Sequence, residues 1–200
     1  MDVLFATGNP AKVKSYYEKL KEKGINLLTI KDIDVKVDVE ENGKNALENA
    51  KIKAKAYYEA TGMISIGMDN TLFFENIPDE KQPGTFVRRV NGKRLSDEEM
   101  IQYYIDFVKE NGDNLHASWK YGMAIYNGKE MKEFSWSKDS LVFVSKASEN
   151  RNPGYPLDSI AIVPKFNKYL VDLNEEERKE NQKDAHTDEV IDFIVKSVEE

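Results

Sequence analysis

Val3-Leu4-Phe5-Ala6-Thr7-Gly8-Asn9-Pro10-Ala11-Lys12 opens the chain: four apolar residues run straight into a short polar loop and then into a helix-like segment. A strand that ends where a helix begins leaves unpaired backbone N–H groups at the helix mouth. Those groups, with the positive end of the helix dipole, suit an anion. Gly8 lets the backbone approach closely, Thr7 and Asn9 add short polar side chains, and Lys12 adds a mobile positive charge one turn in. Pro10 fits a first helical position, where its missing N–H costs nothing. The same residues also describe an ordinary capped helix behind a buried strand. The Walker pattern of glycines followed by Lys-Ser/Thr is absent.

Outward from this loop, Val13, Tyr16, Tyr17 and Leu20 recur at helical spacing and Gly24 ends the helix. Residues 25–30 read as a second strand and 32–43 as an acidic connector. From Asn45 to about Ala60 an Ala-rich amphipathic helix follows, stopped by Gly62, and residues 63–68 return as a buried strand. Strand, helix, strand, helix, strand is the order of an α/β layer. Leu72-Phe73-Phe74 reads as a short extended piece and 75–83 as a turn-rich loop. Ser96 and Glu99 form a capping-box signature ahead of a helix that carries Met100, Ile101, Tyr104, Ile105 and Val108 to Gly112. Asn127-Gly128 joins two extended runs, 116–126 and 129–136, as a hairpin. Residues 141–144 and 160–163 are further strands, 148–156 is a Gly/Pro/Asn loop, and two helices finish the chain from Asn174 onward. One domain is expected over 1–200, with an α/β lobe from both ends of the chain and a hairpin-rich lobe at about 72–165. The natural ligand place is a cleft between them.

Composition narrows the function. The formal charge of −7 disfavours stable nucleic-acid binding by a general basic surface, yet a local pocket on an acidic protein can still be positive. Without cysteine there is no thiol nucleophile, disulfide framework or thiolate metal site, and His116 and His186 are the only histidines. Any metal is then a hard ion held by carboxylates, with magnesium first. No apolar stretch has membrane-spanning length and the first residues lack the regions of a signal peptide, so a cytoplasmic protein is expected. Asp69 follows a buried strand directly, at the sheet edge where open α/β folds bind ligands. Glu40, Glu41 and Glu48 stand before or inside the long helix and are also read as ordinary solvated acids.

Thr7-Gly8-Asn9-x-x-Lys12, Glu41-Asn42-Gly43, Leu47-Glu48-Asn49-Ala50-x-Ile52-Lys53-Ala54, Met68-Asp69-Asn70-Thr71-Leu72 and Pro83-Gly84, in that order, resemble the Ham1/inosine triphosphatase family. Gly154-Tyr155-Pro156-Leu157-Asp158 is similar to the family's base-pocket loop. The resemblance implies a mixed, strongly twisted central sheet with helices on both sides and two lobes around a nucleotide cleft. It implies a magnesium-dependent nucleoside triphosphate pyrophosphatase acting on non-standard purine nucleotides, in a homodimer. Carried over by position, Thr7, Gly8, Asn9 and Lys12 hold the triphosphate, Lys53 and Arg88 contact phosphate, and Glu41 and Asp69 hold magnesium. Lys12 and Asp69 are the catalytic pair, Asp69 orienting or deprotonating the attacking water. Tyr155 stacks on the base and Asp158 bonds its edge.

The pattern departs in three places. The family's Ser-His-Arg before the last helix is replaced by residues 181–187, Asn-Gln-Lys-Asp-Ala-His-Thr, where Lys183 and His186 are the substitutes at hand. Ser15 stands where the family carries a glutamate. A single acid, Asp69, stands where many members have two. The alternative function is therefore a nucleotide-binding protein of the same fold with reduced catalysis or altered base specificity. The helix bearing Tyr103, Tyr104 and Phe107 reads equally as a dimer face or as core.

Overall fold

The computed structural model describes residues 1–35, 37–183 and 186–199, with the side chains of Pro10, Ala11 and Lys183 outside that description. In chain order the elements are β1 (Asp2–Phe5), α1 (Pro10–Glu22), β2 (Asn26–Thr29), α2 (Ala46–Thr61) and β3 (Ser65–Phe74). Then come β4 (Arg89–Val90), β5 (Lys93–Arg94), α3 (Asp97–Asn111), β6 (Asn114–Tyr126) and β7 (Met131–Val144). The chain ends with β8 (Ala161–Val163), β9 (Lys168–Tyr169), α4 (Glu175–Lys183) and α5 (Thr187–Glu199). Among the described residues, seven strands form one mixed sheet in the order β2-β1-β3-β6-β7-β8-β9. β1 is parallel to both neighbours, whereas β8 runs antiparallel to β7 and β9. No helix among them is long and apolar enough to cross a membrane.

Two runs expected to be separate strands are continuous. Residues 63–68 and 72–74 merge into the ten-residue β3, and 129–136 and 141–144 merge into the fourteen-residue β7. Polar residues interrupt the apolar pattern in both, but each strand lies beside β6 in the sheet and its backbone stays extended through them. The capping box at Ser96 and Glu99 forms as expected, and Gly112 closes α3.

The chain divides into two compact units. The first comprises Met1–Asn70, Lys120–Trp136 and His186–Glu200, and the second Thr71–Trp119 and Ser137–Ala185. In the first, β1 supplies Val3 and Phe5, α1 supplies Val13, Tyr16 and Leu20, and α5 supplies Val190, Ile191, Ile194 and Val198 to one core with Ile66, Met68, Met123 and Ile125. In the second, α3 presents Met100, Ile101, Tyr104, Ile105 and Val108 to Leu72, Phe74, Leu141, Phe143 and Ile160. Tyr104 is wholly buried and its hydroxyl donates to the Val87 carbonyl, so it is core, and Phe107 packs half-buried beside it. Tyr103 remains exposed.

The register of the first unit sets the site. β1 and β3 are parallel with Phe5 opposite Ile66, and the Ala6 N–H donates to the Ile66 carbonyl. The loop after β1 therefore leaves the sheet beside the middle of β3, and Asp69, expected just past the end of a strand, lies within β3 instead because the strand runs on to Phe74. α2 lies tight on this region because Gly67 has no side chain: a β-carbon there would enter the space of the Ala50 carbonyl oxygen. Ala50 and Ala54, both fully buried, keep the helix face equally low. Gly67→Ala is expected to force α2 off β3, costing about 1–3 kcal/mol or more as overpacking does. A Tm lowered by several degrees in thermal unfolding checks it, and an unchanged Tm would show that the contact relaxes freely.

Candidate active site

The N-terminal loop is held by its own backbone and hydroxyl. The Asn9 N–H donates to Thr7 Oγ1 at 3.1 Å, and the Lys12 N–H donates to the Asn9 carbonyl as the first turn of α1 forms. Lys12 then reaches across to β3, its Nζ donating to Asn70 Oδ1 at 2.9 Å. The loop, Lys12 and the middle of β3 are thus joined within one unit.

α2 contributes the opposite wall. Asn45 caps the helix by accepting from the Glu48 N–H, while Glu48 Oε2 accepts from the Lys44 N–H. One and two turns in, Asn49 and Lys53 share the face packed on β3. Asn49 is only 1 % exposed. Its Oδ1 accepts from the Gly43 N–H at 2.8 Å and its Nδ2 donates to Asp69 Oδ2 at 2.9 Å. A buried amide satisfied on both ends is a rigid spacer, and here it ties the acidic connector to Asp69. Lys53 is nearly as enclosed, its side chain 12 % exposed. Its Nζ lies 2.8 Å from Glu41 Oε2, 3.6 Å from Asp69 Oδ1 and 3.3 Å from the Met68 carbonyl, to which it donates. Tyr57, a further turn along, lines a cavity of about 320 Å³ with Ile30, Ile33, Asp34, Val35 and Val37. Burial raises its hydroxyl pKa, which Lys53 pulls down and Glu41 pushes up.

Lys12, Lys53, Glu41 and Asp69 are therefore gathered in the first unit, where the Thr7-Gly8-Asn9 loop also lies. Glu41 and Asp69 converge on a single ammonium, so their oxygens face one cationic position. Hard carboxylate oxygens so placed fit a magnesium ion, which binds through one or two carboxylates and completes its shell with water and phosphate. Asn49 and Asn70 lay inside the recognised motifs without an assigned role. The readable signal for Asn49 was a polar residue on the stripe of Ala46, Ala50 and Ala54, since a buried polar residue is more informative than an exposed one.

Arg88, Tyr155 and Asp158 belong to the second unit. Arg88 Nη1 donates to Asp97 Oδ1 at 2.8 Å and to the Leu95 carbonyl, so its guanidinium is engaged locally. Asp97 Oδ2 accepts from the Gly154 N–H, fastening the 148–156 loop to the start of α3. Burial pushes Asp97 up, but the Arg88 and Gly154 hydrogen bonds leave it below the ordinary carboxylate value. The Ser148 hydroxyl and Asn150 Nδ2 donate to Asp172, and Arg151 pairs with Glu98. Burial pushes the Tyr155 hydroxyl up to about 12, with Asp158 adding to it. Burial likewise pushes the Asp158 carboxyl up to about 6, against the opposing hydrogen bond from Asn152 at 2.8 Å and the fields of Lys138 and Arg178. Of the segment expected to supply a base contact, the Lys183 side chain, Asp184 and Ala185 lie outside the described residues. His186 Nδ1 lies 3.0 Å from Glu189 Oε2, in the first turn of α5.

The structure thus brings a polar loop, two lysines and two converging carboxylates together in one unit, and the chain as a whole matches a known family. The Ham1 family model covers residues 3–186. A dITP/XTP pyrophosphatase of Leptospira interrogans is 30% identical over 193 residues, 94% of each chain. One of Bacillus subtilis is 27% identical over 88% of each chain. Among solved structures, the Ham1 protein of Staphylococcus aureus superposes with a TM-score of 0.74 at 22% identity, over 100% of this chain and 98% of its own. A HAM1 protein from Coxiella burnetii gives 0.73 over 99% and 98%. The chain belongs to the Ham1 family, and its α/β fold with a mixed sheet is the fold of these structures.

The raised Asp158 carboxyl makes a prediction about stability. An acid whose folded pKa lies above its unfolded value keeps a proton in the folded protein where the unfolded chain has released it. Its contribution is present at low pH and lost as pH rises through about 6. Glu99, held down at about 2 by Lys93 and Ser96, acts in the opposite sense, its contribution being lost as pH falls toward that value. Asp158→Asn keeps an acceptor for Asn152 and cannot ionise, so wild type should lose stability relative to the variant between about pH 4 and about pH 8. Urea unfolding at both pH values checks this; a constant difference would mean that the carboxyl titrates normally.

Proposed function

We propose that this chain hydrolyses nucleoside triphosphates at the α–β phosphate linkage, releasing a nucleoside monophosphate and pyrophosphate. The observation that carries the proposal is the gathering of Lys12, Lys53, Glu41 and Asp69 at the middle of β3, in a chain that belongs to the Ham1 family. Thr7, Gly8, Asn9 and the first turn of α1 receive the triphosphate through backbone N–H groups and short polar side chains. Lys12, on a stem that already spans from α1 to Asn70, supplies positive charge to the phosphates. Glu41 and Asp69 would hold magnesium, which when bound polarises the phosphate and a water nucleophile. Asn49 holds Asp69 Oδ2, so the carboxylate keeps its orientation as Oδ1 receives or directs a proton of the attacking water. Catalysis here is positioning and charge stabilisation by groups fixed beforehand, with no covalent intermediate.

The names of the curated relatives support a non-standard purine nucleotide, such as dITP or XTP, as substrate. Tyr155 and Asp158 are assigned to the base, Arg88 to a phosphate, and Lys183 and His186 to the closing segment. A changed base preference is the second reading. It is favoured by Asp158 being bonded to Asn152, and by the absence of Ser-His-Arg from residues 181–187. The nucleotide substrate supports a cytoplasmic place of action. Exposed Phe86 and Tyr103, which border a cavity of about 600 Å³, support a homodimer.

Purified protein with magnesium and a panel of nucleoside triphosphates should release pyrophosphate, fastest from dITP or XTP. Asp69→Asn should lower kcat by about 100-fold or more, the range of a lost proton-transfer group, with an unchanged thermal unfolding midpoint as the folding control. Binding of every nucleotide without pyrophosphate release would sink the enzyme reading.

A further inference from the structure

Lys53 is placed differently from a lysine that merely waits for phosphate. A phosphate-binding lysine normally keeps its head in water, whereas this one is 12 % exposed and its ammonium sits against both carboxylates assigned to the metal. The 2.8 Å contact to Glu41 and the 3.6 Å approach to Asp69 Oδ1 fall on the oxygens that a metal needs. The bond from Asn49 to Oδ2 fixes the Asp69 carboxylate so that Oδ1 is the oxygen turned toward Lys53. Asn49 is itself fully buried and bonded to Gly43.

The charges make these contacts exclusive. Two carboxylates and one ammonium carry a net charge of −1. A divalent cation among the same oxygens would bring the group to +1 and lie a few ångströms from the ammonium, which is repulsive in a partly enclosed site. A polyphosphate removes that conflict, since it neutralises the excess charge and accepts the ammonium as a hydrogen-bond donor. Lys53 reaches Glu41 and Asp69 along a flexible four-carbon stem, so a shift of its head does not require α2 to move.

We infer that Lys53 makes divalent-metal binding conditional on a polyphosphate: it is the counter-ion of Glu41 and Asp69 until the triphosphate takes over its ammonium and frees both carboxylates for the metal. This rests on the metal site proposed above. Metal alone is bound weakly, and the metal enters with the nucleotide as one unit. The coupling is reciprocal, so the metal also strengthens polyphosphate binding through the released lysine.

The test is direct binding of Mn²⁺, followed through the electron-spin resonance of the free ion, with no turnover involved. Lys53→Met and Lys53→Gln, each checked for folding by circular dichroism, should bind Mn²⁺ alone at least about tenfold more tightly than wild type, within the usual range of coupling between sites. Lys53→Arg, which keeps the charge, should stay weak. The ratio of affinity for preformed Mn²⁺–tripolyphosphate to affinity for Mn²⁺ alone should fall at least about tenfold in the two neutral variants. Adding Asp69→Asn to Lys53→Met should abolish the tight Mn²⁺ site. If the neutral variants bind Mn²⁺ no better than wild type and Asp69→Asn still removes that binding, the counter-ion role is overturned while the metal site stands. If Asp69→Asn changes nothing in either background, the metal site itself is misplaced and the inference falls with it.

Discussion

The close seat of α2 on β3 at Gly67 is the contact from which the rest of the site follows. Helix and sheet usually meet through side chains, but here the Ala50 backbone fills the space above Gly67, and Ala50 and Ala54 keep the helix face low beside Asn49 and Lys53. That approach brings Asn49 and Lys53 within hydrogen-bond reach of Asp69 and the Met68 carbonyl. Larger residues at these positions would lift α2 and stretch both contacts beyond the range in which they have any strength. Gly122 repeats the device on β6, where a β-carbon would meet the Leu47 backbone at the start of the same helix. The seat of α2 on the sheet is thus set by two missing side chains.

On that frame the electrostatics of an acidic protein become local. A formal charge of −7 would repel a triphosphate if it were spread evenly. Instead Lys12 and Lys53 are drawn to β3 by neutral or acidic partners that belong to the fold, Asn70 for one and Glu41 with Asp69 for the other. Many exposed pairs elsewhere, such as Lys179 with Glu175, contribute little to stability because water and salt screen them. Lys53 and Asp69 are the exception: their side chains are 12 % and 13 % exposed, so their charges are less screened than those of the half-exposed Glu41 that completes the trio.

Much of this was legible in the sequence, and the reasons differ from residue to residue. The order of strands and helices could be read because apolar periodicity, Gly24, Gly62 and the Ser96 capping box are local signals. The Thr7–Lys12 loop and Asp69 stood out because polar residues adjoined buried strands. β3 and β7 were read as broken because Asp69-Asn70-Thr71 and Ser137-Lys138-Asp139-Ser140 look like turns when only neighbours along the chain are counted. Their cross-strand partners, which hold them extended, are far away in sequence. The bond from Asn49 to Asp69 and that from Lys12 to Asn70 were hidden for the same reason, being separated by 20 and 58 residues. The family resemblance carried the class of chemistry, because the motifs it rests on are the residues that pack α2 and the loop onto the sheet.

The largest departure from the family pattern, the missing Ser-His-Arg at residues 181–187, falls away from the close contact of α2 and β3, whereas Ser15 on α1 and the single acid Asp69 on β3 belong to the first unit. The triphosphate is common to all nucleotides, and the residues proposed for it are tied to parallel strand register and, through α2, to the close backbone contacts at Gly67 and Gly122. The loop proposed for the base has no such anchor. In the second unit the relevant loop is held by side chains bonding one another and nearby backbone, Asp97 to Arg88 and Gly154, Asp158 to Asn152, Ser148 and Asn150 to Asp172. Such a network can be rebuilt with other polar residues without disturbing a core, provided each buried group keeps a partner. On the proposed assignment, the phosphate residues and the base loop therefore rest on different kinds of physical constraint, strand register and close helix packing for the first and side-chain networks for the second.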